Sequence, residues 1–316
     1  MRRPLLFVLA AATAAGTMLP ALAQAAEPER ERVPVAISIS PGTDHQRYGI
    51  GQLVTLRFSE VVKDRKAAED AITVSSDKPL TRGAWGWIDD TTAIYRPRKF
   101  WPGNADIRFD IDLAGVVLAR TDNQEFVGND KSDRTFVLRT DRSFVLEIKD
   151  SKHRLYVRRD GRVVKSFPVS LGKAGWRTRS GIKILTGEKY ARLRMTGYDP
   201  GADERWDVIA PYSIRLTPTG EFIHGAPWAN NRMGLWNGSH GCTNMFVADA
   251  KWLFKRVVAG DPVVTKGTGR PMEVTNGTPG SYWNYSWKQW QKMSGTYGGT
   301  AVRAASLPPA TIDAGP

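Results

Sequence analysis

A mainly β protein in two successive domains is what the sequence predicts, and three observations carry that prediction. Residues 33–140 hold short segments in which apolar and polar side chains alternate with period two, the mark of strands with one buried face. A second run of such segments begins near Ser143. One later stretch, from Ala250 through Leu253, Phe254, Val257 and Val258, has apolar residues at helical spacing instead.

The first 26 residues read as an export signal: Arg2 and Arg3 precede an apolar stretch from Leu5 to Leu22, and small residues follow. Cleavage after Ala23 or Ala25 is expected, with an uncleaved N-terminal anchor as the alternative. No later segment has the length of uninterrupted apolar sequence that a membrane-spanning helix needs. The expected location is extracytoplasmic, in the cell wall or at the outer face of the cytoplasmic membrane.

Within residues 33–140 the clearest strands are Val35 to Ile39, Leu53 to Phe58, Ile107 to Leu113 and Thr135 to Arg139. Turn signals at Pro41-Gly42 and Pro102-Gly103 separate them. Roughly seven strands in this length describe an antiparallel, immunoglobulin-like β-sandwich without a disulfide. Trp85, Trp87 and Tyr95 fit its core better than a glycan-stacking surface.

In the second domain Val145 to Ile148, Leu155 to Val157 and Val163 to Val169 form a meander, turned at Asp160-Gly161. Gly181 to Leu185 is a further strand, and between Ala191 and Pro211 the alternation fails, so a long loop or lid is expected there. Ile214 to Leu216 and Glu221 to Ile223 resume the pattern and deliver His224 at a strand end. The helix is expected over residues 248–259, stopped by Gly260, with Pro262 to Thr265 as a closing strand. Residues 268–294 carry Tyr282, Trp283, Tyr285, Trp287 and Trp290, an aromatic appendage expected to pack onto the preceding domain. The Gly-, Ala-, Thr- and Pro-rich residues 295–316 are expected to be a disordered tail.

Lys and Arg outnumber Asp and Glu by 45 to 32, a net charge of +13. For an exported chain the matching polyanions are cell-wall polymers, and no nucleic-acid-binding signature is present. Against this background the single cysteine is informative. Cys242 cannot form a disulfide within the chain, so it is buried, paired with a partner, or reactive.

Its neighbours favour reactivity: Cys242 lies in Ser239-His240-Gly241-Cys242-Thr243-Asn244, and fourteen residues separate that run from His224. A thiol is a nucleophile as thiolate, and an imidazole can take its proton to form an ion pair. Either His224 or His240 could serve. Gly241 lets the backbone bend so that N–H groups, including that of Cys242, converge on one point, as an oxyanion requires. Asn244 could brace this loop or cap the following helix. His224, His240 and Cys242 could also be metal ligands, but no Cys-x-x-Cys or His-x-x-x-His pair accompanies them.

The two segments, His224-Gly225-Ala226-Pro227-Trp228 and Ser239 to Asn244, resemble the signature of the L,D-transpeptidase catalytic domain, the YkuD fold, over residues 143–267. An immunoglobulin-like domain ahead of it and a tryptophan-bearing segment behind it are similar to the layout of actinobacterial members. The resemblance implies peptidoglycan stem peptides as donor and acceptor, and no cofactor or metal. By position it makes Cys242 the nucleophile and His224, rather than the nearer His240, its base. His240, Gly241 and Cys242 would form the oxyanion site through backbone N–H groups. Tyr198 and Trp206 fall near positions where relatives place aromatic rings over the donor. Gly225, Trp228, Ser239 and Asn244 complete the implied substrate site. Gly225 stands where actinobacterial relatives often have Ser, and Thr243 where an apolar residue is usual.

The implied reaction cleaves the terminal D-alanine of a tetrapeptide stem and joins the acyl group to a diamino-acid side-chain amine, a 3→3 crosslink. An L,D-carboxypeptidase, with water as acceptor, and a non-enzymatic wall-binding module are the competing readings.

Overall fold

The computed structural model describes residues 30–42, 46–274, 278 and 280–297. The proposed signal and most of the proposed tail lie outside the described residues. Eleven strands build the N-terminal part: β1 (Glu31–Val35), β2 (Ile37–Ser40), β3 (Arg47–Tyr48), β4 (Val54–Phe58), β5 (Ile72–Ser76), β6 (Gly83–Trp87), β7 (Thr92–Pro97), β8 (Asp106–Ile111), β9 (Val117–Arg120), β10 (Gln124–Gly128) and β11 (Arg134–Thr140). A short helix, α1 (Arg65–Asp70), precedes β5, and Asp64 caps it by accepting the Ala67 N–H.

A four-stranded sheet ordered β2-β4-β7-β6 faces another ordered β3-β11-β8-β5, and β1-β10-β9 forms a third, smaller sheet. Leu56, Trp85, Trp87, Ile107, Phe109, Phe136 and Leu138 point inward from these strands into one core. Trp85 and Trp87 are therefore core residues, and the Trp87 indole N–H donates to Glu69 at 2.8 Å.

The second part contains β12 (Phe144–Lys149), β13 (Arg154–Arg159), β14 (Arg162–Pro168), β15 (Gly181–Ile184), β16 (Lys189–Asp199), β17 (Glu204–Arg215), β18 (Phe222–Gly225), β19 (Thr243–Met245), α2 (Val247–Phe254) and β20 (Pro262–Lys266). One sheet is ordered β14-β13-β12-β20-β15 and the other β16-β17-β18-β19. Their facing sides enclose Leu146, Ile148, Leu155, Phe167, Ile214, Ile223, Met245, Leu253 and Val263. Among the described residues, no helix is long and apolar enough to cross a membrane.

Residues 191–211, expected to be a loop, instead form most of a β-hairpin in which β16 and β17 pair from Lys189 opposite Ile214 to Asp199 opposite Glu204. The hairpin projects beyond the core, so its outer residues alternate between half-buried and exposed rather than apolar and polar. Gly197, which interrupted the pattern, lies opposite Trp206, and a Cβ there would meet the indole at 2.0 Å. Helix α2 is also shorter than residues 248–259, ending at Phe254.

The aromatic segment departs from expectation in where it docks. Tyr282, Trp283, Tyr285, Trp290 and Met293 pack with Leu53 and Ile94 of the sandwich and with Ile184 of β15. Trp290, in α3 (Trp287–Gln291), donates to the Ala84 carbonyl at 3.0 Å, and Trp283 to the Gly51 carbonyl at 2.8 Å. The buried Arg96 guanidinium bonds the Tyr282 and Tyr285 carbonyls. This segment therefore seals the sandwich against the second domain instead of capping the second domain alone. Gly49 and Gly51 complete the joint by donating their N–H groups to Ala259 and Gly260.

Candidate active site

Strands β18 and β19 run parallel, with Ile223 opposite Thr243 and His224 opposite Asn244. Continuing that register puts Cys242, at the entry to β19, beside Phe222, on the strand that carries His224. Two residues apart on one strand share a face. The topology thus brings the ends of the two sequence segments to one side of one sheet.

The turn into Cys242 is held from within. The Ser239 hydroxyl donates to the Cys242 carbonyl at 2.6 Å and accepts the Gly241 N–H at 3.1 Å. Gly241 has φ of +114°, a backbone region that side chains other than glycine's rarely enter. Space is not the constraint, because the nearest atom to an added Cβ would be the Trp176 oxygen at 3.6 Å. Of the three N–H groups implied for the oxyanion site, that of Gly241 is committed to Ser239. Those of His240 and Cys242 bond no acceptor among the described residues.

His224 is buried, and its Nδ1 lies 2.9 Å from the Gly225 carbonyl oxygen. A carbonyl can only accept, so Nδ1 carries the proton of the neutral ring and Nε2 keeps a lone pair. Burial lowers the imidazole pKa to about 4, with the Gly225 carbonyl opposing. Gly225 is closely packed: an added Cβ would meet Pro211 at 3.0 Å and Val247 at 3.2 Å. The loop behind His224 is therefore tight despite the glycine.

The Cys242 thiol is half-buried, and its sulfur lies 3.7 Å from the Gly220 carbonyl. Burial pushes the thiol up to about 12, opposed by the Phe222 N–H and reinforced by the Glu221 carboxylate. No hydrogen bond joins the thiol to His224 among the described residues. Burial thus disfavours the charged form of each group, the thiolate and the imidazolium of the expected ion pair.

His240 faces the hairpin. Its ring stacks on Trp206 with centroids 4.0 Å apart and planes 12° apart, and Trp176 meets it edge-on at 5.2 Å. Its Nε2 lies 3.6 Å from Asp199 and 3.5 Å from Glu204, on either side of the hairpin tip. Desolvation lowers the imidazole pKa, Lys173 adds to the shift, and the two carboxylates oppose it. Asp199, Glu204 and His240 have ligand atoms within 4.8 Å of one another. However, the Lys173 ammonium already pairs with both carboxylates, at 2.9 and 3.1 Å.

The remaining expected site residues divide between surface and support. Trp228 is 43% exposed and its ring lies 5.9 Å from that of His224, covering the imidazole from outside. Tyr198 is 40% exposed, bonds Asp203 through its hydroxyl and carries the Arg205 guanidinium over its ring. Asn244 is buried within β19 and exchanges both backbone bonds with Ser170. It does not cap α2, whose N-cap is Phe246. Its Oδ1 has no partner among the described residues.

Sequence reasoning missed Lys173, Trp176, Thr178 and Glu221. Trp176 beside Gly175 was a usable signal, since a large aromatic side chain in a glycine-flanked loop needs a surface to cover. The other three carry no local signal, because their partners are distant in the chain.

The L,D-transpeptidase catalytic domain family matches residues 143–265, and the bacterial Ig domain family residues 22–117. L,D-transpeptidase 2 of Mycobacterium tuberculosis is 30% identical over 258 residues, which cover 80% of this chain and 60% of that protein. L,D-transpeptidase 5 of Mycobacterium tuberculosis is 30% identical over 261 residues, covering 79% of this chain and 54% of that one. The chain thus spans somewhat over half the length of these two relatives. Among solved structures, the L,D-transpeptidase LdtMt1 in complex with imipenem is 26% identical, with a TM-score of 0.58, covering 73% of this chain and 99% of that one.

Proposed function

We propose that the protein is a peptidoglycan L,D-transpeptidase that forms 3→3 crosslinks through an acyl-enzyme on Cys242, a reading supported by the match of residues 143–265 to the L,D-transpeptidase catalytic domain family. The observation that carries this reading is the tautomer of His224. With Nδ1–H held by the Gly225 carbonyl, Nε2 keeps the lone pair that a base needs, and Cys242 enters β19, the strand paired with that of His224.

In the proposed reaction, His224 Nε2 takes the thiol proton as the sulfur attacks the carbonyl of the third stem residue. The Cys242 N–H stabilises the resulting oxyanion. The C–N bond to the terminal D-alanine then breaks, His224 returns the proton to the leaving amine, and a thioester remains. A side-chain amine of a second stem attacks this thioester, His224 takes its extra proton, and the sulfur leaves and is reprotonated. The low basicity of a buried imidazole suits both directions, since it gives up its proton readily to each departing group.

Trp228, Tyr198 and the hairpin would flank the stem peptides, and the basic surface would sit against anionic wall polymers. The site of action is proposed to be outside the cytoplasmic membrane, after export on residues 1–26. Incubation with a disaccharide tetrapeptide tests the reading. Crosslinked dimers and free D-alanine are expected, and both should vanish in Cys242→Ala. Shortened monomeric stems alone would assign water as the acceptor. No consumption of donor by the wild type would refute the reading.

A further inference from the structure

The peptide that joins Gly241 to Cys242 is held from one side. Its carbonyl accepts the Thr178 hydroxyl at 2.9 Å, and the same hydroxyl oxygen accepts the Gly172 N–H at 3.0 Å. Thr178 has no exposed surface. A trans peptide is planar, with its N–H pointing opposite to its C=O. Drawing the Gly241 carbonyl toward Thr178 therefore turns the Cys242 N–H the other way, where no acceptor bonds it among the described residues.

Thr178 is fixed in turn by its neighbour. The Arg179 N–H and guanidinium both donate to Glu221 Oε1 at 3.0 Å, and the Arg179 carbonyl accepts the Lys183 ammonium. Lys183 is wholly buried and lies 3.6 Å from Glu221 Oε2. Burial lowers its pKa to about 8, with Glu221 opposing. Buried charges are costly to desolvate and contribute little net stability over apolar packing. Two of them, Lys183 and Glu221, with the half-buried Arg179 beside them, therefore call for a positional explanation.

We propose that Thr178 is a positioning residue for acyl transfer: its hydroxyl orients the Gly241–Cys242 peptide so that the Cys242 N–H meets the developing oxyanion, and Arg179, Glu221 and Lys183 hold Thr178 in place. The inference rests on the reading of Cys242 as an acyl-transfer nucleophile. It adds a residue that acts through the Gly241–Cys242 peptide.

The test compares two reactions of the same thiol in the full chain. Acylation by p-nitrophenyl acetate passes through an oxyanion, whereas alkylation by iodoacetamide displaces iodide at a saturated carbon and does not. Thr178→Val is expected to slow acylation about 10- to 100-fold while alkylation and its pH profile stay within about twofold. Thr178→Ser, which restores the hydroxyl, is expected to recover acylation. Wild-type acylation in Thr178→Val, equal loss of both reactions, or failure of serine to restore the rate would overturn the proposal. Because neither reagent is a stem peptide, the ratio decides the role of Thr178 even where a tetrapeptide assay refutes the crosslinking reading.

Discussion

Trp206 lies flat on His240, ring centroids 4.0 Å apart and planes 12° apart. This single stack joins the β16–β17 hairpin to the segment that carries Cys242. It also occupies the face of the histidine nearest the nucleophile in sequence, and its Nε2 is directed at Asp199 and Glu204. A histidine so engaged is a docking point for the hairpin, in keeping with the proposed role of His224 as the base.

Trp206→Ala should loosen the hairpin and leave the chemistry. Faster amide exchange is expected over residues 196–207. The KM for a tetrapeptide donor should rise up to about tenfold, the order of an aromatic pair, with kcat less affected. Unchanged exchange in that segment would show that the stack does not hold the hairpin.

His224→Gln should leave the fold intact and lower D-alanine release about 10²- to 10⁴-fold, the usual range for loss of a general base. His240→Gln should cost much less. A larger loss at His240 than at His224, read by D-alanine release, would reverse the two assignments.

The upward shift of the thiol has a pH signature. With the thiol pushed up to about 12, alkylation of free Cys242 by iodoacetamide should remain slow at neutral pH and still be rising above pH 9. An ion-paired thiol would instead show a plateau extending into the acid range.

His224 also ties stability to pH. The folded imidazole protonates near pH 4, whereas its ordinary value is 6.5. Between these values the unfolded chain binds the extra proton, so the contribution is complete above about pH 6.5 and is lost as pH falls toward 4. Its size is on the order of 3 kcal/mol. Urea unfolding at pH 7 and pH 4.5 should show this loss in the wild type and a smaller one in His224→Gln.

Gly241→Ala should cost about 1–3 kcal/mol, because φ of +114° is unfavourable for alanine although there is room for the Cβ. If the loop relaxes to relieve that strain, the Cys242 N–H turns with it. Activity is then expected to fall further than the modest drop in melting temperature implies, measured as kcat and Tm on one preparation.

Trp290→Ala should destabilise the sandwich by about 3–5 kcal/mol, since a fully buried indole and its bond to the Ala84 carbonyl are both lost. Denaturant unfolding followed by Trp85 and Trp87 emission would register this. A change within error would mean that the C-terminal segment is not part of that cooperative unit.

The sequence by itself determined the two β-rich domains and the two segments that carry His224 and Cys242. Each of these is written locally, as period-two alternation for strands with one dry face, or as a run of residues whose spacing already implies a turn beside a reactive thiol. The hairpin at 189–215 escaped that reading because it projects beyond the core, and without a dry face there is no alternation to see. Gly197 reads as a strand breaker until Trp206 is found lying across it.

Only the tertiary structure decided where the aromatic segment docks, how burial shifts Cys242 and His224, and what the Gly241 carbonyl bonds. Residues 281–293 bury their rings against strands roughly 200 positions earlier, a partner that local pattern cannot specify. The shifts of Cys242 and His224 come mainly from desolvation, and desolvation exists only once surrounding chain has closed over them. Thr178, Arg179, Lys183 and Glu221 look like ordinary polar strand residues in the sequence. Folding brings them together beside the Cys242 loop, where their hydrogen bonds run to one another and to Gly172, Gly241 and Thr265.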